Sequence, residues 1–238
     1  MAVPVATSSL AAMASLVHPQ VASATPPFED RRDAGRRLAA SLAGLAGAEP
    51  VVVALPRGGV TVGEEIATAL AAPLEVLVVR KLGAPGHPEY GIGAVAEGGI
   101  RVVDAEITKL LGLRNGEIQR LVDAEDSELR RRVHAYRDGK PFPDLGGRVV
   151  LVVDDGVATG ATNVAAIRAL RRQRPRLIVL AVPVCSAEAY ELLRHEADRV
   201  VALTVPQRMG AVSRFYRDFS QVSDQEVIDA LHRAAEPA

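Results

Sequence analysis

The chain has 238 residues, 48% of them hydrophobic and 24% charged, which is the balance of a globular protein rather than a disordered or fibrous one. Lys and Arg number 28 against 29 Asp and Glu, and the formal charge of -1 excludes a binder that neutralises many phosphates over a broad basic face. Aromatic residues at 3% leave little for a base-stacking platform, and the single cysteine, Cys185, excludes an intramolecular disulfide and a thiolate zinc cage, as expected of a cytoplasmic protein.

Residues 1–27 are rich in Ala, Ser, Val and Pro and carry no charge before Glu29, so they read as a tail, and residues 28–238 as the domain. Ala22-Ser23-Ala24 looks like a leader cleavage site, but the basic segment is missing and Pro4, His18, Pro19 and Gln20 interrupt the apolar stretch. No later run approaches the roughly 20 apolar residues of a membrane span. Neither membrane nor nucleic acid is expected as a partner.

Leu38, Leu42 and Leu45 recur at helical spacing after the charged opening Glu29 to Asp33, which predicts the first helix. Val51 to Leu55 is a continuous apolar strand ended by Pro56-Arg57-Gly58-Gly59; a helix from Val60 to Ala71 and a second strand, Leu74 to Val79, complete a βαβ unit. The stretch between Arg80 and Val103 holds many Gly and Pro and is expected to be a long loop flanking a short β-ribbon, with 83–99 the candidate lid and His87 and Glu89 possible proton-transfer groups within it. Asp104 is expected to cap a short helix and Asn115 a longer one, on which Arg130, Arg131 and Arg132 form a solvated run. Strands at Arg148 to Val153, Leu177 to Val182 and Val200 to Val205 then alternate with helices at Gly160 to Arg172 and Ala187 to His195. The fold class is therefore α/β, a parallel sheet of about five strands covered by helices on both faces. In such sheets ligands sit beyond the carboxyl ends of the strands.

The segment from Val149 to Asn163, VVLVVDDGVATGATN, runs a buried strand into two adjacent acids and then a small-residue turn that opens a helix. Paired carboxylates repel, so Asp154 and Asp155 imply a cation or a polyol above them. The turn Gly156, Val157, Ala158, Thr159, Gly160, Ala161 and Thr162 is small enough for its amides to wrap an anion, with two threonine hydroxyls added: a phosphate cradle. A P-loop would need Lys after the second glycine, where Ala161 stands. Gly91, Gly93 and Ala96 match a dinucleotide fingerprint formally, but no hydrophobic strand precedes them. The histidines show no metal-ligand spacing.

The strand, the acid pair and the loop to Thr162 resemble the signature of type I phosphoribosyltransferases, and Leu55-Pro56-Arg57-Gly58-Gly59 is similar to the loop after the first strand in that family. LPRGGV together with VRKLGAPGHPE resembles a bacterial branch of these proteins, some joined to hydrolase domains. The resemblance implies binding of 5-phosphoribosyl 1-diphosphate with magnesium held mainly through the substrate and Asp154 or Asp155 as possible contacts. It gives Asp154 and Asp155 the ribose hydroxyls and a catalytic role, the loop from Val157 to Thr162 the 5-phosphate, and Arg57 and Gly58 the diphosphate, with Arg80 and Lys81 as further diphosphate contacts. A closing lid and a small hood are also implied, the hood corresponding to 205–219. There Phe215, Tyr216 and Asp218 are the candidates for stacking and reading a flat base. The expected function is transfer of the phosphoribosyl group to a nitrogenous base, purine-like first, in nucleotide salvage, by a homodimer. The alternative is a sensor that binds phosphoribosyl diphosphate without turnover.

Overall fold

In the computed structural model, which describes residues 28–235, the strands without polar alternation are buried throughout. The chain enters α1 (Arg31–Leu42), a 3-10 turn (Ala43–Ala48), β1 (Val51–Ala54), α2 (Gly58–Leu70) and β2 (Leu74–Val76). Then follow β3 (Val79–Ala84), β4 (His87–Ala96), β5 (Ile100–Val103), α3 (Ala105–Leu110) and α4 (Asn115–Arg137). The second half is β6 (Val149–Val153), α5 (Ala161–Arg171), β7 (Leu177–Val184), α6 (Ala187–Leu193), β8 (Arg199–Thr204), a 3-10 turn (Val212–Phe215) and α7 (Asp224–Ala235). The expected tail, 1–27, lies outside the described residues.

A five-stranded, all-parallel sheet has the order β2-β1-β6-β7-β8. Alternate residues of each strand feed opposite cores: Val52, Leu151 and Val179 meet α1 and α2, whereas Val53, Val150, Val152 and Ile178 meet α5 and α6. The chain leaves β1 toward one edge and β6 toward the other, so the order reverses between these two strands. Their register, Ala54 opposite Val153, and the Leu55 amide donating to the Val153 carbonyl at 2.8 Å bring both carboxyl ends together.

The second expected strand, Leu74 to Val79, is divided. β2 stops at Val76 and β3 belongs to a separate antiparallel sheet, β3-β4-β5. The expected loop over 83–99 is thus largely extended β-structure, of which the predicted ribbon is the whole rather than a small part. Its glycines are turn signals in the sequence, but Gly93 sits inside β4, where a Cβ would stand 2.2 Å from the Val102 carbonyl oxygen, so β5 can approach only bare backbone. Ala94, Ala96 and Ile100 pack on Ala165 of α5, which seats this small sheet on the helix that follows the acid pair. Asp104 caps α3 as expected, accepting from the amides of Glu106 and Ile107. Asn115 is the first residue of α4 rather than its cap, and the Arg114 amide donates to the Glu117 carboxylate at 2.9 Å.

Glu97 joins the two sheets. One of its carboxylate oxygens accepts from the Val78 amide at 2.9 Å and the other binds the Arg137 guanidinium, which also stacks over Phe142. The Arg137 and Glu97 side chains are only 8% and 14% exposed, so removing one partner strands a buried charge. Glu97→Ala is expected to lower stability by about 3 kcal/mol in denaturant unfolding. Asp126→Ala, which removes the partner of the 79% exposed Arg130, should cost less than about 1 kcal/mol.

Candidate functional site

Asp154 and Asp155 follow β6 directly at the switch point, Asp154 held by local partners and Asp155 by partners distant in sequence. The Asp155 amide donates to Asp154 Oδ1 at 2.9 Å, and Asn163 Nδ2, within the first turn of α5, donates to Asp154 Oδ2 at 3.0 Å. Asp155 Oδ2 accepts from Arg31 Nε at 2.7 Å, and the Tyr216 hydroxyl donates to the Asp155 carbonyl. Burial pushes both carboxyl groups above the usual carboxylate range; repulsion from Asp155 adds to the effect at Asp154, and the Arg31 guanidinium opposes it at Asp155.

The loop after the pair turns directly into α5, and one of its residues faces the core. The Val157 side chain is buried and its amide donates to the Val184 carbonyl at 2.9 Å, so Val157 anchors the loop on β7 and does not face an anion. The sequence conceals this, since a valine between small residues reads as one of them. Among the described residues, the amides of Ala158, Thr159, Gly160, Ala161, Thr162 and Asn163 donate to no protein acceptor. Free donors at the start of an 11-residue helix are able to donate to an anion. Gly160 adopts φ +83, which a side chain disfavours, and turns the loop into α5; Ser186 Oγ fixes the approach by donating to the Ala158 carbonyl at 2.7 Å.

The β1 loop closes on the acid pair. A Cβ at Gly58 would lie 1.8 Å from Asp155 Oδ2, and one at Gly59 2.8 Å from the Val153 carbonyl oxygen, so this loop can sit beside β6 only as glycine. A cis peptide joins Pro56 to Arg57. The Arg57 guanidinium lies 3.9 Å from Asp224 of α7 and is 27% exposed. Arg80 and Lys81 are not at the end of a central strand: both lie within β3, and Arg80 binds Glu125 of α4 at 2.8 Å. The strand division at Val76 carries them into the second sheet.

The hood differs most from expectation. Tyr216 is 6% exposed, packed between Phe28 and Phe219 with ring centroids 5.4 and 5.0 Å away, and burial raises its hydroxyl pKa strongly. It is a packing residue and cannot stack a base. Asp218 turns to its own segment, accepting from the Ser220 amide, whereas Phe215 stays half-buried. The hood also includes the start of the domain, for Phe28 and Glu29 pair with 215–218 through backbone bonds. His87 lines an apolar cavity of about 760 Å³ with Tyr90, Leu111 and Leu113, and the Glu89 side chain lies outside the described residues. Arg31, Asn163 and Ser186 have no sequence signal of their own. Arg31 reads as one more charge on a solvated helix face.

Among the described residues no trio of His, Cys, Asp or Glu is arranged around a metal. Two carboxylates, one already paired to Arg31, suit a hard cation only if ligand oxygens complete its shell. Cys185 is buried and its thiol pKa is pushed up to about 12 by that burial, which leaves it protonated and unreactive.

The model of the phosphoribosyl transferase domain matches residues 28–219. A protein of Mycobacterium tuberculosis (strain H37Rv), provisionally named a phosphoribosyl transferase, is 44% identical over 207 residues, covering 87% of this chain and 47% of that protein. The chain thus spans about half the length of the curated relatives it matches. The crystal structure of TT1426 from Thermus thermophilus is 44% identical with a TM-score of 0.75, covering 89% of this chain and all of that one.

The raised carboxyl pKa of Asp154 makes a prediction for the ligand-free protein. From its ordinary value of 3.8 upward the folded state retains a proton that the unfolded chain has lost, so stability falls as pH rises through that window. Asp154→Asn should flatten the fall by about 1.4 kcal/mol for each unit of displacement. Melting temperatures from pH 4 to 9 check this; parallel curves for the two proteins would refute it.

Proposed function

The chain belongs to the phosphoribosyltransferase family, a family of pentosyltransferases, and from that premise we propose that it moves a 5-phosphoribosyl group from phosphoribosyl diphosphate to a nitrogenous base. The observation that carries this reading is the run of unbonded amides from Ala158 to Asn163 that opens α5 directly after a half-buried acid pair. The 5-phosphate accepts from those amides and from the hydroxyls of Thr159 and Thr162. Asp154 and Asp155, beside it, accept from the ribose hydroxyls. The amides of Arg57 and Gly58 and the Arg57 guanidinium face the diphosphate, since their loop abuts Asp155. Gly156 gives the loop its close approach to Val184 and Val212.

The reaction breaks the bond from C1 of the ribose to the diphosphate oxygen, which leaves with the electron pair. A nitrogen lone pair of the base forms the new bond at C1, and the N–H proton of the base passes to the departing diphosphate or to water. Positive charge on the ribose ring in the transition state is stabilised by the adjacent carboxylates. Asp154 and Asp155 would help hold a magnesium ion bound mainly through the substrate, and that ion would supply neutralisation of the leaving diphosphate. Lys81 and Arg80, on β3, reach the diphosphate only if the small sheet moves as a lid, and Arg80 then exchanges Glu125 for it. The half-buried Phe215 is the remaining ring of the hood for a flat, purine-like acceptor. A homodimer in the cytoplasm remains the assembly and compartment proposed; among the described residues no helix is long and apolar enough to cross a membrane.

Calorimetric titration with phosphoribosyl diphosphate, with and without magnesium, tests binding, and diphosphate release over a panel of free bases tests transfer. Magnesium-dependent binding should weaken at least tenfold in Asp154→Asn/Asp155→Asn; unchanged affinity sinks the site assignment. Release with one base names the acceptor, whereas binding without release for any base favours the sensor. Phe215→Ala is expected to weaken the acceptor and spare phosphoribosyl diphosphate.

A further inference from the structure

Arg31 is charged, 9% exposed and placed where no ligand group of the reading above touches it. Its guanidinium ties α1 to three other segments that are far apart in sequence. Nε donates to Asp155 Oδ2 at 2.7 Å, Nη1 donates to the Ser220 carbonyl at 2.8 Å, and the guanidinium plane lies 3.7 Å from the centre of the Phe219 ring. On the other side is the β1 loop, where a Cβ at Gly58 would come within 2.7 Å of Nε. A flat cation is thus clamped between the hood and the diphosphate-side loop, with one fork end on a carboxylate. Arginine suits this place because its planar fork serves a ring face, a carboxylate and a carbonyl at once.

The consequence falls on Asp155. Its Oδ2 is held by the guanidinium and its backbone carbonyl by the Tyr216 hydroxyl, so both the carboxylate plane and the backbone that carries it are fixed in place. Oδ1 is the oxygen that the guanidinium leaves over. An aspartate held at both the carbonyl and one carboxylate oxygen is a preorganised acceptor, which has no orientational freedom left to lose on meeting a ligand hydroxyl.

We infer that Arg31 is a positioning residue for the ribose: it holds Asp155 by Oδ2 so that Oδ1 faces the ribose hydroxyls, and fastens the hood to that carboxylate through Ser220 and Phe219. The inference rests on the phosphoribosyl reading of the site and assigns a residue that the reading itself does not use. It separates two ligands. Phosphoribosyl diphosphate has ribose hydroxyls and depends on the set of Asp155, while inorganic diphosphate has none and does not.

The test is calorimetric affinity for phosphoribosyl diphosphate and for inorganic diphosphate, both with magnesium, in the wild-type chain, Arg31→Gln and Arg31→Lys. Arg31→Gln is expected to weaken phosphoribosyl diphosphate roughly ten- to a hundredfold with inorganic diphosphate unchanged. Arg31→Lys, which keeps the charge but not the fork, should recover only part of the loss and stay about tenfold weaker than wild type for phosphoribosyl diphosphate, again with inorganic diphosphate unchanged. An equal fall for both ligands in either variant means that Arg31 only supports the fold, and overturns the inference; so does unaltered affinity for phosphoribosyl diphosphate. If Arg31→Gln does not fold, the Arg31→Lys pair of affinities decides by the same criterion. Failure of the wild-type chain to bind phosphoribosyl diphosphate would instead overturn the reading of the site, and the role of Arg31 with it.

Discussion

Two adjacent carboxylates, brought out of water at the end of the central strand, set the terms for everything around them. Desolvating an ion is costly unless charge-assisted hydrogen bonds replace the lost water, and here two side chains supply them to the carboxylates while two further segments close around the pair. Asn163 returns from the first turn of α5, Arg31 reaches in from the start of the domain, Tyr216 binds from the hood, and the β1 loop closes over as bare glycine at Gly58. The pair therefore organises the fold at the same point where it is to meet a ligand. The raised carboxyl pKa values record a cost that this network offsets only in part.

The topology explains why the two loops meet there. Parallel strands need long crossovers, and where successive crossovers leave in opposite directions a crevice opens at the carboxyl ends. β1 and β6 flank that crevice, so residues about a hundred positions apart, Gly58 and Asp155, come into contact. The unbonded amides at the start of α5 face the same side because a parallel strand delivers its chain directly into the next helix. The small antiparallel sheet rests on α5 through Ala94, Ala96, Ile100 and Ala165, which places its hairpin over the helix that carries the cradle.

The hood is built from both ends of the domain. Phe28 and Glu29 pair with 215–218, and the rings of Phe28, Tyr216 and Phe219 pack together beside Arg31. Aromatic side chains are large apolar bodies, and a segment with few other apolar residues spends them on its own core before offering one to a ligand. Tyr216 shows this: its ring fills the interior and its hydroxyl serves Asp155.

Features carried by neighbours in the chain were determined by the sequence alone. Unbroken apolar runs identified the five central strands, helical spacing gave α1, α2 and α5, Asp104 marked the start of α3, and the acids followed by a small-residue turn marked the loop that opens α5. Each of these depends on periodicity or on backbone geometry within a few residues, and both are local. The tertiary structure decided what depends on distant partners. It divided the strand at Val76, because Glu97 takes the Val78 amide, and carried Arg80 to Glu125. It turned Val157 inward onto β7, buried Tyr216, and chose Arg31, one charge among several at the start of α1, as the partner of Asp155. A one-dimensional pattern shows which residues could be buried or charged together; only packing selects which pair excludes water from a given carboxylate.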